Sequence, residues 1–180
     1  SVTVRQLIHR LGPDVADRIE VTNLHALART ICSRSGWKGR IATEEEVAET
    51  WGRVHESPEF SGLPLDNDEV WREYQFVIDA TGINSRDDYL TTVRSGRPRL
   101  TRAQRRELWP VFLAFRRELK KRNLLTFEGA IHEARLSVES GNFRKYTHVL
   151  VDEVQDFSLE ALRLIRALSP IEEGLQNPLC

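Results

Sequence analysis

The stretch Tyr146-Thr147-His148-Val149-Leu150-Val151-Asp152-Glu153-Val154-Gln155-Asp156 decides how this chain is read. An apolar run, Val149-Leu150-Val151, ends in two adjacent carboxylates. Continuous apolar runs of this kind belong to parallel strands buried on both faces. Ligands of open α/β sheets bind at the carboxyl ends of such strands. The run therefore places a metal-type carboxylate, Asp152, beside a base-type carboxylate, Glu153, at a ligand site. That pairing suits phosphoryl transfer with a divalent cation, which needs one hard oxygen ligand and a group to orient the attacking water. Gln155 can hydrogen-bond a phosphate or the water without adding charge. Asp156 can cap the next helix or hold the loop. A bare Asp-Glu pair is more often a solvated strand end. The apolar run, the Asp-Glu-x-Gln-Asp pattern and the Ser158-led helix together favour the functional reading.

Outward from this stretch, Ser158 starts a helix with Leu159, Leu162, Ile165 and Leu168 on one face, stopped at Pro170. Upstream, Thr126 caps a helix running through His132 and Leu136 and ended by Gly141-Asn142. At the other end, Val4, Leu7, Ile8 and Leu11 have helical spacing before the Gly12-Pro13 break. Arg18 to Thr22 reads as a short strand, and Leu24 to Cys32 as a helix. The middle, from Gly36 to Arg122, reads as helical throughout. Thr43 with Glu46 and Thr101 with Gln104 form capping boxes, and Ser85 with Asp88 resembles a cap. Asp68 to Ile78 has helical spacing, and Ser95-Gly96-Arg97-Pro98 is a break. The helix after Thr101 buries Leu108, Phe112, Phe115 and Leu119 on one stripe, and Pro110 is expected to kink or split it. The periodic placement of Trp51, Trp71, Trp109, Phe112 and Phe115 makes them core residues.

The expected fold is therefore α/β and helix-rich. Residues 1–35 and 123–180 form its α/β part, and residues 36–122 form a large all-helical insertion. The 180 residues, 40% of them hydrophobic, can supply a sizeable core. No apolar stretch reaches the length of a membrane span, and no signal-peptide pattern opens the chain. Cys32 and Cys180 form no metal-type pair, so a reduced, cytoplasmic setting is expected. The net charge of −1 hides an asymmetry. Glu44 to Asp88 contains 13 acidic and 3 basic residues, whereas Arg94 to Arg122 contains 11 basic and 2 acidic ones. Such blocks either face a charged partner or pair with each other and with water. His9, His55, His132 and His148 have no ligand spacing and carry no assigned role.

Val151-Asp152-Glu153-Val154-Gln155-Asp156 resembles motif II, the Walker B element, of superfamily 1 DNA helicases of the UvrD/Rep type. Val21-Thr22-Asn23-Leu24-His25-Ala26-Leu27-Ala28 resembles their motif Ib, which holds single-stranded DNA. Leu124-Leu125-Thr126-Phe127-Glu128-Gly129-Ala130-Ile131 resembles the segment preceding motif II. The helical insertion sits where the family places its 1B subdomain. The resemblance implies an incomplete RecA-like P-loop NTPase sheet, with residues 1–35 and 123–180 as part of subdomain 1A and 36–122 as the 1B-like insertion. It implies that Asp152 binds Mg²⁺, that Glu153 is the base in ATP hydrolysis and that Gln155 senses the γ-phosphate. It implies that Thr22 and His25 contact the DNA backbone. His25 reads equally well as a helix-start histidine with a satisfied ring.

The family's phosphate loop requires Gly-Lys-Ser/Thr. The four lysines, Lys38, Lys120, Lys121 and Lys145, none of them after a glycine, exclude it from this stretch. The chain also lacks a methionine and reads as an internal fragment of an ATP-dependent DNA helicase or translocase. Without the loop it is expected to be inactive alone and to bind neither ATP nor Mg²⁺ tightly. Its expected partners are single-stranded or partly duplex DNA and the remaining helicase domains, with no membrane. Exposed strand edges make self-association possible. The alternative is a non-enzymatic single-stranded DNA-binding or interaction module using Arg94 to Arg122, with Trp109 nearby. A metal-dependent nuclease is a distant third, because no further acidic-lysine constellation completes it.

Overall fold

The computed structural model describes residues 6, 8–10, 12–93, 99–144 and 146–169. Most of the expected first helix, the Ser95–Pro98 break and the tail beyond Ser169 lie outside the described residues. The described elements run α1 (Pro13–Ala16), α2 (Leu24–Arg34), β1 (Arg40–Ile41), α3 (Glu44–His55), α4 (Asn67–Glu73), α5 (Arg86–Thr91), α6 (Arg102–Lys121), β2 (Leu124–Leu125), α7 (Phe127–Glu139) and α8 (Leu159–Leu168). A π-helix, Tyr74–Asp79, continues α4, and short 3₁₀ turns occupy Pro58–Phe60 and Val154–Asp156.

Local chemistry sets the helix ends. The Thr43/Glu46 and Thr101/Gln104 capping boxes form with both reciprocal bonds, and Asp66 with Glu69 makes a third. Asn23, Ser85, Thr126 and Ser158 each cap the helix that follows them. At the end of α7, Gly141 has φ 83 and donates to the Val138 carbonyl, while Asn142 donates to that of Ser137. This six-residue closure satisfies carbonyls the helix leaves open.

One cluster of buried side chains is built around α6. Leu108, Phe112 and Phe115 are fully buried there, with Trp51, Tyr74, Tyr89 and Trp109 around them. Phe115 meets Tyr74 and Trp51 edge-on, at centroid distances of 4.9 and 5.4 Å. Such pairing contributes about 0.5–1.5 kcal/mol per pair beyond burial. The other cluster joins α2, α7 and α8 through Leu27, Ile31, Ile131, Ala134, Val138, Ala161, Leu164 and Leu168. Between them lies the parallel pairing of β1 with β2, two residues long, in the register Arg40 to Leu124 and Ile41 to Leu125. Gly39 permits it, because a Cβ there would lie 2.1 Å from the Asn123 carbonyl oxygen.

Five expectations are corrected. Pro110 does not split α6, which runs as one helix from Arg102 to Lys121. The ring removes one helical hydrogen bond, but it is exposed while Leu108, Trp109, Val111 and Phe112 are buried, so tertiary packing holds the helix. Gly36 to Arg122 is not wholly helical, since it contains β1. Arg18 to Thr22 forms no strand. The run Val149–Val151 forms a single bridge residue at Val149, and Leu150 is 84% exposed. A strand buried on both faces needs ladders at its edges, and the described residues place none there beyond that bridge. Finally, α8 buries Glu160, Ala161, Leu164, Ile165 and Leu168, leaving Leu159 and Leu162 exposed. The helix is turned so that Glu160 reaches its ionic partners.

Candidate nucleotide and nucleic-acid site

The carboxylates of the opening stretch lie on a tight turn that projects into solvent. Asp152, Glu153, Gln155 and Asp156 are all exposed. Glu153 adopts φ 53, ψ 36, the left-handed region, which costs a residue with a Cβ about 1–2 kcal/mol. Three contacts hold it. Its N–H donates to Asp152 Oδ1 at 2.9 Å, Gln155 Nε2 donates to its Oε2 at 2.5 Å, and its carbonyl accepts from the Asp156 N–H at 3.0 Å. The turn brings Asp152, Glu153 and Gln155 into one hydrogen-bonded group. Asp156 does not cap α8. That role falls to Ser158, whose hydroxyl oxygen accepts from the Ala161 N–H at 3.1 Å. Asp156 closes the turn through its backbone instead.

Mg²⁺ needs few protein ligands, because it keeps several waters and takes the rest from substrate phosphates. Asp152 offers a hard, exposed oxygen of that kind, so the donor set fits. No cluster of three or more His, Cys, Asp or Glu side chains suited to a metal exists among the described residues. Cys32 is no candidate nucleophile. Burial pushes its thiol up to about 11, which suppresses the reactive thiolate.

Thr22 and His25 flank the start of α2. Thr22 Oγ1 donates to the Asn23 carbonyl at 3.3 Å. His25 is exposed, and its ring leans on Phe127 with centroids 4.9 Å apart. His25 and Phe127, with Asn23, Leu24, Ala26 and Arg29, line an open depression of about 580 Å³; Thr22 is not part of its lining. Arg29 and Phe127 were not singled out from the sequence. The signal for Arg29 was its position four residues after His25, on the same helix face. Phe127 begins α7, and the next residue, Glu128, accepts a 2.7 Å hydrogen bond from Ser158. Burial raises the Glu128 carboxyl above its usual range. The first turn of α7 therefore touches both the groove at His25 and the segment that follows the carboxylate turn.

The basic block divides in two. Arg105 bonds the Tyr89 and Thr92 carbonyls, Arg116 bonds Ile83 and Asn84, Lys121 pairs with Glu118, and Arg122 with Glu46 and Glu49. Arg102, Arg106, Arg117 and Lys120 are exposed and make no ion pair among the described residues. Trp109 is 6% exposed and packs on Tyr89, so it offers no stacking surface beside them.

Among the described residues, no helix is long and apolar enough to cross a membrane. A 60-residue segment is 40% identical to part of DNA helicase IV of Escherichia coli strain K12, covering 33% of this chain and 9% of that protein. No family model matches the chain, and no solved structure does. The likeness supports a relationship to a helicase.

Proposed function

We propose that this chain is part of an ATP-dependent superfamily 1 helicase or translocase of the UvrD/Rep type. Residues 1–35 and 123–180 then belong to a RecA-like motor subdomain and residues 36–122 to its helical insertion. The observation that carries the reading is the Asp152–Gln155 turn, where a strained Glu153 is held between Asp152 and Gln155. A left-handed non-glycine residue persists only where its surroundings fix it, and such residues cluster at active sites. Asp152 would hold Mg²⁺, which supplies charge neutralisation on the nucleotide phosphates. Glu153 takes the proton of the attacking water, and Gln155 orients Glu153 through its amide. Single-stranded DNA lies along the His25 depression, its phosphates near Thr22 and Arg29 and a base against His25 and Phe127.

In the longer ATPase this reading implies, Glu153→Gln abolishes DNA-stimulated phosphate release while Mg²⁺-ATP still binds. The 180-residue chain alone releases no phosphate from ATP. Phosphate release by the chain alone, or turnover that survives Glu153→Gln, contradicts the proposal.

A second reading, a non-enzymatic DNA-binding module, is favoured by the four exposed cations of α6 that make no ion pair among the described residues. At 100° per residue, Arg102, Arg106, Arg117 and Lys120 fall within about 60° of arc. Glu107 and Glu118 lie outside it. With Trp109 buried, this stripe can grip phosphates but not stack bases. Replacing all four by Ala should lower the salt slope of duplex binding by about 0.9 for each phosphate no longer neutralised. An unchanged slope rejects this surface.

A further inference from the structure

His132 has no ligand spacing in the sequence, yet it sits in a chain of polar groups joining three elements. Arg116 Nη1 donates to Asn84 Oδ1 at 2.7 Å. This fixes the Asn84 amide, so its Nδ2 faces His132 Nε2, with which it is hydrogen-bonded. An amide nitrogen only donates, so Nε2 must accept, and the ring proton resides on Nδ1. From there it points at Glu160 Oε1, 2.7 Å away. Arg135 Nη2 also approaches Nδ1, but at 3.3 Å, and the carboxylate is both nearer and charged. Glu160 is fully buried and also accepts from Arg135 Nε at 2.5 Å and Arg163 Nη1 at 3.2 Å.

The same residues bind the 79–84 loop by its backbone. The Glu160 N–H donates to the Ala80 carbonyl at 3.1 Å, and Arg163 donates to that of Thr81 at 2.7 Å. Gly82 lies so close that a Cβ there would stand 2.4 Å from the Glu160 carboxylate. Glu160 is four residues beyond Asp156, and between them Ser158 is tied to Glu128.

We propose that Glu160 and His132 are positioning residues that lock the start of α8, and with it the Asp152–Asp156 turn, to the 79–84 loop of the helical region. Displacement of the turn is thereby passed to that region through a donor–acceptor chain with a single direction, Arg116 to Asn84 to His132 to Glu160. The functional sense of this coupling rests on the reading of Asp152–Asp156 as the nucleotide-side turn. Its physical content does not, because the test involves neither ATP nor DNA.

The test is nitrogen-15 NMR of the labelled chain with amide exchange. The wild-type His132 ring is expected to carry its proton on Nδ1 with Nε2 bare. Asn84→Asp, which replaces the donor by an acceptor, should place a proton on Nε2. Asn84 is exposed, so Asn84→Ala is expected to fold. It should speed exchange about fivefold, the effect of removing one hydrogen bond, at Glu160 and also at Asp156 and Phe157, which Asn84 does not touch. A wild-type Nε2–H tautomer, or acceleration confined to residues near 84, overturns the proposal. A purely structural Asn84 would lower overall stability without moving the His132 tautomer.

Discussion

The two packed regions of this molecule are built on different principles. The region around α6 is held by large aromatic side chains and buries charge among them, with Tyr89 donating to Glu73, Tyr74 donating to Asp79, and Arg116 3.6 Å from Asp79. The region joining α2, α7 and α8 has smaller aliphatic contacts and a fully buried carboxylate, Glu160, at its margin. It also carries the exposed carboxylate turn, the left-handed Glu153 and the His25 groove. Both regions bury charge, so polar burial does not separate them; what distinguishes the second is the exposed acidic turn with its left-handed Glu153. The aromatic region reads as the scaffold.

The aromatic scaffold is most vulnerable at Phe115. Phe115→Ala empties a fully buried ring site shared by Trp51, Trp71 and Tyr74, and should cost about 3–5 kcal/mol in urea denaturation. In the other region, Glu160→Ala should cost about 3 kcal/mol, at the lower end for a broken buried pair, because Arg163 is 49% exposed and can rehydrate. A loss below 1 kcal/mol would show that charge does not hold the second region.

Acid titration sharpens the same point. Burial opposes ionisation of Glu160, but hydrogen bonds from Arg135, His132 and Arg163 outweigh it and hold its carboxyl below the usual range. The unfolded chain therefore binds more protons at this group than the folded one, and stability rises with pH. The contribution is complete above the ordinary Glu value near 4.3 and is lost as pH falls through the folded value. Asp79, raised by burial, has the opposite sign. Glu160→Gln should flatten the acid limb of the stability curve, whereas an unchanged limb would reject the assignment. The smallest effect is expected at Glu153. Glu153→Gly should be stabilising by about 0.5–1 kcal/mol, because glycine accepts a positive φ without strain. A destabilised variant would show that the Gln155 hydrogen bond to the Glu153 side chain outweighs the backbone strain.

Much of this was legible in the residues. Thr43, Thr101, Thr126 and Ser158 announced their helices because capping is a local interaction. The Leu108 to Leu119 stripe announced its buried face because helical periodicity is set by one element. What stayed hidden depended on contacts between distant segments. The pairing of Arg40 with Leu124 leaves only Gly39 as a trace. On α8, Ile165 and Leu168 are buried as their spacing indicated, whereas Glu160 and Ala161 are buried in place of Leu159 and Leu162. His132 has no partner within its own helix pattern, since Asn84 lies 48 residues away. Of the candidate site, the sequence singled out Asp152 to Gln155 at an expected strand end and His25 through its resemblance to motif Ib, whereas Phe127 lines the groove only through the packing of α2 on α7.

The central claim is that the surface beside the start of α7 receives single-stranded DNA. Fluorescence anisotropy of a labelled single-stranded oligonucleotide, titrated with the chain and with a His25→Ala/Arg29→Ala double variant, tests it directly. Removing one stacking ring and one phosphate-binding cation should weaken binding about tenfold or more, with α6 left intact. Equal affinity for the two proteins would contradict the account and move the DNA site elsewhere.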